Sequence, residues 1–296
     1  MTNSAALSGI ATEAPTIRQL DAPLGATVEG FDGSQPAAAK TLLALKGALR
    51  QHHILIFKDQ RLTDDAYLRF SSYFGSVYRP PADAPVLGSD ASGRAPDIVL
   101  VANVDNGLLG ADELTAHVDH QWTPQPSASS FLYALETPSA GGETIFYNLA
   151  AAYDALDVKT KAEIDGLQLI TYNPFLRRKY PLPEGRPLYR TPNIQRLEPY
   201  LAHPLVRTHP ESGRKLIFLG AGTEVEIVDY DPEAGAALIA RLRRHMAEPR
   251  FRYKHAWTVG DIVWWDNQAT LHGRDAFDNG ERRVMKRISL AGARPF

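Results

Sequence analysis

Short apolar runs bounded by turn residues constrain the fold of this chain more than any other feature of its sequence. The runs are too short for helices and have the length of buried or half-buried strands. Because the predicted helices lie outside these strands, the pattern favours a curled antiparallel sheet, a jelly roll, over a parallel βαβ sheet. The main predicted strands are ILIF at 54–57, DIVLV at 97–101, SSFLYALE at 129–136, IVWWD at 262–266 and RVMKRISLAG at 283–292.

Five segments carry the apolar spacing or the end signals of helices. Thr63 is a predicted N-cap, and Asp231 followed by Pro232 predicts a helix start, since proline is favoured at the first helical position. The fold class predicted is therefore mainly β with flanking helices. The predicted helices cover residues 37–52, 63–75, 150–156, 159–167 and 231–246.

The chain of 296 residues shows no internal repeat and no convincing linker. Residues 1–16 are small and polar and predict a flexible tail, and residues 17–296 predict a single domain. Two long irregular segments, 79–97 and 173–201, are rich in proline or glycine and predict long loops, which in compact domains are usually functional or disordered.

Composition narrows the possible chemistry. The chain has no cysteine, which excludes disulfides, thiolate catalysis and cysteine-bound metals, so any metal must bind His, Asp or Glu. The formal net charge of -2 gives no reason to expect nucleic acid or an anionic membrane as partner. Without a signal peptide or a long apolar run, the sequence predicts a soluble cytoplasmic protein.

Two separated segments hold candidate metal ligands. His117 and Asp119 are two residues apart, so on a strand their side chains share one face. His272 follows the aromatic strand and a polar turn far along the chain. Two histidines and one carboxylate form the facial triad typical of non-haem iron(II) oxygenases, which leaves coordination positions open. A His-x-Asp pair alone also occurs where the histidine is merely structural.

Two arginines in the last predicted strand, Arg283 and Arg287, lie on one face. A guanidinium beside a metal can bind a carboxylate through two hydrogen bonds. Either arginine alone is equally compatible with a surface ion pair.

Together these residues resemble the taurine dioxygenase and 2,4-dichlorophenoxyacetate dioxygenase family of iron(II)/2-oxoglutarate-dependent enzymes. The resemblance runs from about residue 20 to the end of the chain. It rests on HVD at 117–119, ETPSAGGET at 136–144, AAYDAL at 151–156, HPLVRTHPESGRKLIF at 203–218, GDIVWWDN at 260–267, LH at 271–272 and RRVMKR at 282–287.

The resemblance implies a double-stranded β-helix, the cupin-like jelly roll, with Fe(II) bound by His117, Asp119 and His272. It implies that Thr144 and Arg283 bind the distal carboxylate of 2-oxoglutarate, while Arg287 reaches the substrate anion or the cosubstrate. The expected reaction consumes O2, decarboxylates 2-oxoglutarate to succinate and CO2, and hydroxylates an unactivated C–H bond of a small anionic molecule. Relatives are often dimers or tetramers.

Three positions depart from the family pattern and leave the substrate open. Ala116 replaces a frequent tryptophan, His120 follows the carboxylate ligand, and Thr223 stands where taurine-oxidising relatives have an aromatic residue. Taurine is therefore not expected as substrate; amino acid derivatives, sulfonates and aryloxy acids remain in range. His120 could hydrogen-bond a polar substrate, pack, or compete as a metal ligand. Further candidates for pairing with an acidic substrate, or for solvated loop charge, are Arg79, Arg177 and Arg178.

Two other hypotheses compete with a 2-oxoglutarate-dependent dioxygenase. A jelly-roll hydrolase or isomerase could use the same His-Asp-His set for zinc or manganese, but it would not need Thr144, Arg283 or Arg287. A non-catalytic binding module could retain the fold, although an intact ligand set argues against it.

Overall fold

An eight-stranded sheet faces a four-stranded antiparallel sheet in the computed structural model, which describes residues 15–177 and 201–296. The larger sheet has the order β1-β2-β3-β15-β7-β17-β4-β5, and the smaller one β14-β8-β16-β6. The strands are β1 (Thr16–Gln19), β2 (Ala26–Glu29), β3 (Ile54–Phe57), β4 (Val99–Ala102), β5 (Leu108–Leu109), β6 (Leu114–His117), β7 (Ser129–Glu136), β8 (Thr144–Asn148), β9 (Gln168–Thr171), β10 (Ala202–Pro204), β11 (Val206–Thr208), β12 (Lys215–Ile217), β13 (Val225–Ile227), β14 (Arg252–His255), β15 (Ile262–Asp266), β16 (Thr270–Arg274) and β17 (Val284–Leu290).

Helices cover the outer faces of the two sheets. Both predicted caps are confirmed, because Thr63 Oγ1 accepts from Ala66 N at 3.2 Å and Asp231 Oδ1 accepts from Ala234 N at 2.9 Å. Each such cap typically stabilises a helix by about 1 kcal/mol. The helices are α1 (Ala39–His52), α2 (Asp64–Ser72), α3 (Leu149–Asp154), α4 (Val158–Ile164), α5 (Pro174–Arg177) and α6 (Pro232–Met246).

The core forms two layers around the larger sheet. In β3, Ile56 packs with Trp265 between the two sheets, whereas the next residue, Phe57, packs against Phe70 of α2 on the outer face. All four residues of β3 are buried, which explains why its sequence is an uninterrupted apolar run. The predicted jelly roll is confirmed, and its two facing sheets form the walls of the candidate site.

The observed boundaries of helices, strands and loops largely agree with those predicted from the sequence. Residues 79–97 contain neither helix nor strand, as predicted, whereas the second predicted loop begins with α5. Residues 1–14 of the predicted tail and 178–200 of that loop lie outside the described residues. The single domain over 17–296 stays a prediction. None of the helices in the described part of the chain is long and apolar enough to cross a bilayer.

Candidate metal and cosubstrate site

Strands β6 and β16 place two imidazoles side by side. His117, the last residue of β6, lies opposite His272 of β16 in antiparallel register. Asp119 Oδ1 lies 3.6 Å from His117 Nε2 and 3.8 Å from His272 Nε2. One candidate ligand atom from each residue lies within 4.8 Å of the others. The structure therefore brings together the three residues that the sequence predicted as metal ligands.

Asp119 reaches this position from a turn and not from a strand. Because β6 ends at His117, the strand alternation used to explain the convergence was wrong on this point. Asn267 holds the turn instead: its Oδ1 accepts from Asp119 N at 2.9 Å, and its Nδ2 donates to Asp119 O at 3.0 Å. Ser130 Oγ donates to Asp119 Oδ2 at 3.1 Å, so the other carboxylate oxygen faces the histidines.

A backbone contact sets the orientation of the first imidazole. His117 Nδ1 lies 2.9 Å from Thr115 O, so Nδ1 carries the proton and Nε2 keeps a free lone pair. His272 Nε2 is the ring nitrogen of that residue nearest Asp119, and its buried Nδ1 has no partner among the described residues. Two imidazole nitrogens and one carboxylate oxygen on one side of a cavity fit Fe(II) with open coordination positions.

Electrostatics favour the protonation states that a metal requires. Burial alone would raise the pKa of Asp119, but Arg287 and His272 outweigh it and lower that pKa well below its usual value. Arg287 Nη1 donates to Asp119 Oδ1 at 3.1 Å. Burial, assisted by His117, lowers the pKa of His272 to about 3. The carboxylate is therefore anionic and His272 neutral near pH 7, as metal ligation demands.

A small cavity beside the triad contains a guanidinium that has no acidic partner among the described residues. Its lining includes Thr144, His272, Arg274, Arg283 and Arg287. Arg283 is 1% exposed, and its Nε donates to the Gly142 carbonyl at 3.1 Å. Burial, together with Arg274, lowers the pKa of Arg283 to about 9, so it remains a cation at neutral pH.

No carboxylate among residues 15–177 and 201–296 forms an ion pair with Arg283. A buried charge without a counter-ion is unfavourable, and a ligand carboxylate would remove that cost. The residues present therefore fit a keto-acid such as 2-oxoglutarate, with Thr144 and Arg283 at one end and the triad at the other.

Trp257 orients Thr144, a relationship that the sequence interpretation missed. Its indole Nε1 donates to Thr144 Oγ1 at 2.9 Å, and its ring centre lies 6.0 Å from the Arg283 guanidinium carbon. Because Thr144 Oγ1 already accepts from the indole, its hydroxyl proton is available to a ligand carboxylate. Trp257 follows the end of β14, and nothing in its spacing indicates this role.

Replacing Trp257 with phenylalanine is expected to raise the KM for 2-oxoglutarate by about two- to tenfold, the effect of one neutral hydrogen bond. The kcat should change much less, because the ring remains and only the orientation of Thr144 is lost. Steady-state kinetics with varied 2-oxoglutarate check this. An equal fall in kcat with an unchanged KM would contradict the positioning role.

A larger cavity of about 480 Å³ is lined by two of the predicted metal ligands, His117 and Asp119. His120 and Thr223 both line it, next to His117, Asp119 and Arg287. Burial lowers the pKa of His120 to about 3, so the ring is neutral. The rest of the wall is largely apolar; among its members are Leu87, Leu109, Leu114, Trp122, Pro174 and Phe175.

The three loop arginines do not share one location. Arg79 is more than half exposed, pairs with Asp97 and is not part of the cavity lining. Arg177 ends α5, which contributes Pro174 and Phe175 to the cavity wall, and Arg178 lies outside the described residues. Their proposed pairing with the substrate stays a prediction for Arg177 and Arg178, and the structure offers no support for it at Arg79.

Arg274 is a second residue that the sequence interpretation missed. It is buried, lines the small cavity, and donates through Nη2 to the carbonyls of Leu109, at 2.8 Å, and Asp112. Arg274 is two residues beyond His272 on β16, so the strand alternation that was misapplied to Asp119 would have identified it.

Comparisons with known proteins agree with this geometry. The family model described as taurine catabolism dioxygenase TauD, TfdA family matches residues 16–289. The chain belongs to this family. An α-ketoglutarate-dependent 2,4-dichlorophenoxyacetate dioxygenase from Burkholderia sp. (strain RASC) is 31% identical, covering 85% of this chain and 90% of the relative. Pentalenolactone F synthase from Streptomyces arenae is 29% identical, covering 90% of this chain and 92% of the relative.

A solved structure also matches the fold of this chain. The crystal structure of AAD-2 in complex with Mn(II) and N-oxalylglycine matches with a TM-score of 0.77 and 29% identity, covering 96% of this chain and 99% of that one. The chain is thus an α-ketoglutarate-dependent dioxygenase, an oxidoreductase that uses Fe(II), 2-oxoglutarate and O2. The hydrolase or isomerase alternative finds no support among these family members.

Proposed function

We propose that His117, Asp119 and His272 bind Fe(II), and that Thr144 and Arg283 bind the distal carboxylate of 2-oxoglutarate. The single observation that carries the assignment is that the His-Asp-His group contributes to the walls of two cavities. One of them contains Arg283, which has no acidic partner among the described residues, and the other is mainly apolar. Bound Fe(II) and 2-oxoglutarate would supply the oxidation, with succinate and CO2 formed as a C–H bond is hydroxylated.

The protein contributes orientation and charge. Thr115 and Asn267 fix His117 and Asp119, so the ligand atoms converge before any metal arrives. Arg287 contacts Asp119 and lines both cavities, so it can meet an anionic group of either the substrate or the cosubstrate. Apolar residues such as Leu109, Leu114 and Phe175 would exclude water from the reacting carbon.

The substrate we propose is a small organic anion with an apolar body. The relative from Burkholderia acts on 2,4-dichlorophenoxyacetate, a small aryloxy acid, by its name. In the present chain the cavity of about 480 Å³ has the size range of small-ligand pockets, and its largely apolar wall also includes Arg287 and two glutamates, Glu113 and Glu224. A dimer or tetramer, a cytoplasmic location and the single domain remain predictions from the sequence.

Succinate release across a panel of aryloxy acids, sulfonates and amino acid derivatives tests the proposal. One class is expected to accelerate succinate formation and to yield a hydroxylated product in equal amount, with dependence on Fe(II) and O2. A mass increase of one oxygen in the product would identify hydroxylation as opposed to desaturation. If purified protein with Fe(II) neither binds 2-oxoglutarate nor forms succinate with any acid, the proposal fails.

A further inference from the structure

His120 adopts a backbone conformation that is unfavourable for its residue type. Its φ of 61° lies in the left-handed region, which is unfavourable for a residue with a side chain. Strain of this kind persists where surrounding contacts impose it, and it is frequent at ligand sites. Here the conformation turns the chain directly after Asp119 and places the imidazole in the wall of the large cavity.

Tyr78 and Thr123 contact the ring and the backbone carbonyl of His120, respectively. Tyr78 stacks on the imidazole, with ring centres 4.1 Å apart and planes 3° from parallel. Tyr78 OH donates to Thr123 Oγ1 at 3.0 Å, and Thr123 Oγ1 donates in turn to the His120 carbonyl at 2.8 Å. These contacts orient the ring and fix the backbone of His120, and the residue is 3% exposed.

A chain of hydrogen bonds determines which ring nitrogen carries the proton. Asn267 Oδ1 accepts from Asp119 N, so its amide nitrogen is the atom that faces Ser127 Oγ, at 3.1 Å. Ser127 is fully buried, and His120 Nδ1, at 3.1 Å, is the remaining acceptor for its hydroxyl proton among the described residues. Ser127 therefore donates to Nδ1, and the neutral imidazole carries its proton on Nε2.

That Nε2–H has no protein acceptor among residues 15–177 and 201–296, while the side chain lines the cavity beside Asp119 and Arg287. Resting on the proposed function, we infer that His120 is a substrate-binding residue that donates its Nε2–H to an oxygen of the substrate. The substrate class implied carries an acceptor oxygen, as in a carboxylate, ether, carbonyl or sulfonate, close to the carbon that is oxidised. A molecule with only an ammonium or amide N–H at that point would be rejected.

The tautomer can be tested without turnover. In metal-free protein labelled with ¹⁵N-histidine, the ring nitrogen shifts of His120 are expected to show the proton on Nε2, and the resonance is assigned by its loss in His120→Gln. In Ser127→Ala this preference should weaken, because the donor to Nδ1 is gone. A wild-type His120 protonated on Nδ1 would overturn the inference.

Substrate binding supplies the second test, using the acid that gives most succinate in the panel. His120→Phe keeps a ring against Tyr78 but lacks the donor, so the KM for that acid should rise about tenfold or more, as for a hydrogen bond to a charged group. His120→Gln, which retains an N–H donor, should recover part of the loss. Equilibrium dialysis of the acid against each protein, with Fe(II) and 2-oxoglutarate under anaerobic conditions, checks binding apart from turnover.

The controls separate this inference from the proposed function. Binding of Fe(II) and 2-oxoglutarate, followed spectroscopically without substrate, should be the same in wild type, His120→Phe and His120→Gln. If wild type itself lacks that binding, the proposed function fails. If cosubstrate binding is intact and His120→Phe binds the acid as tightly as wild type, only the role of His120 is refuted.

Discussion

Replacing His272 with alanine is expected to abolish iron binding and 2-oxoglutarate-dependent turnover while the fold survives. The imidazole lies opposite His117, with its Nε2 3.8 Å from Asp119 Oδ1. Its Nδ1 has no hydrogen-bond partner among the described residues, so its removal leaves no group of theirs unsatisfied there. Loss of a residue that merely supports a ligand typically costs 10- to 100-fold in metal affinity, and loss of a ligand should exceed about 100-fold. Iron content after dialysis and succinate release measure the two effects.

His52→Ala is the matched control, since His52 is only partly buried at the end of α1 and is absent from both cavities. It should bind iron and turn over like wild type. Circular dichroism and the Tm of metal-free protein show whether His272→Ala remains folded, and His272→Gln repeats the test with less loss of volume. Retained iron-dependent activity in a folded His272 variant would remove His272 from the ligand set.

Replacing Arg283 with methionine is expected to raise the 2-oxoglutarate requirement by about 10²-fold, since losing a hydrogen-bonded partner of a charged group costs roughly 2–3 kcal/mol. The Tm of metal-free protein should change little, because removal of a buried charge without an acidic partner among the described residues offsets the lost hydrogen bond to the Gly142 carbonyl. Titration of 2-oxoglutarate and a thermal melt measure the two effects.

Arg282→Met is the control, as the neighbouring residue of the same type. Arg282 is exposed and pairs with Glu136 at 2.6 Å, so its loss should leave the 2-oxoglutarate requirement unchanged. If Arg282→Met raised the 2-oxoglutarate requirement and Arg283→Met did not, the cosubstrate would bind elsewhere. A large fall in Tm for Arg283→Met would show that the guanidinium is structural.

Short local patterns in the sequence were sufficient to predict the main strands and the residues of the metal set, but not how those residues converge. The apolar runs at 54–57 and 262–266 are observed as strands over those residues, since both of their faces are buried. The pattern of His117, Asp119 and His272 predicted a group that the structure brings together. The predicted reason, a strand carrying both His117 and Asp119, was wrong because β6 ends at His117. Asp119 is placed by Asn267, a contact across 148 positions that no local periodicity contains.

Side chains that act through distant partners could not be predicted in this way. The role of Trp257 depends on Thr144, 113 positions earlier, and that of His120 depends on Ser127 and Tyr78 together. Such contacts form only when segments distant in sequence pack together, and the sequence shows only residue types compatible with many roles. Arg79 illustrates the converse, since its charge suggested a substrate contact and its partner is a neighbouring loop aspartate.

Anaerobic addition of Fe(II) and then 2-oxoglutarate to the purified protein tests most directly whether one ferrous site holds the keto-acid. A weak visible charge-transfer band is expected in wild type, with a much higher 2-oxoglutarate concentration needed in Arg283→Met and no band in His272→Ala. Wild-type protein that binds iron but develops no band at saturating 2-oxoglutarate, or an undiminished band in His272→Ala, would contradict the assignment.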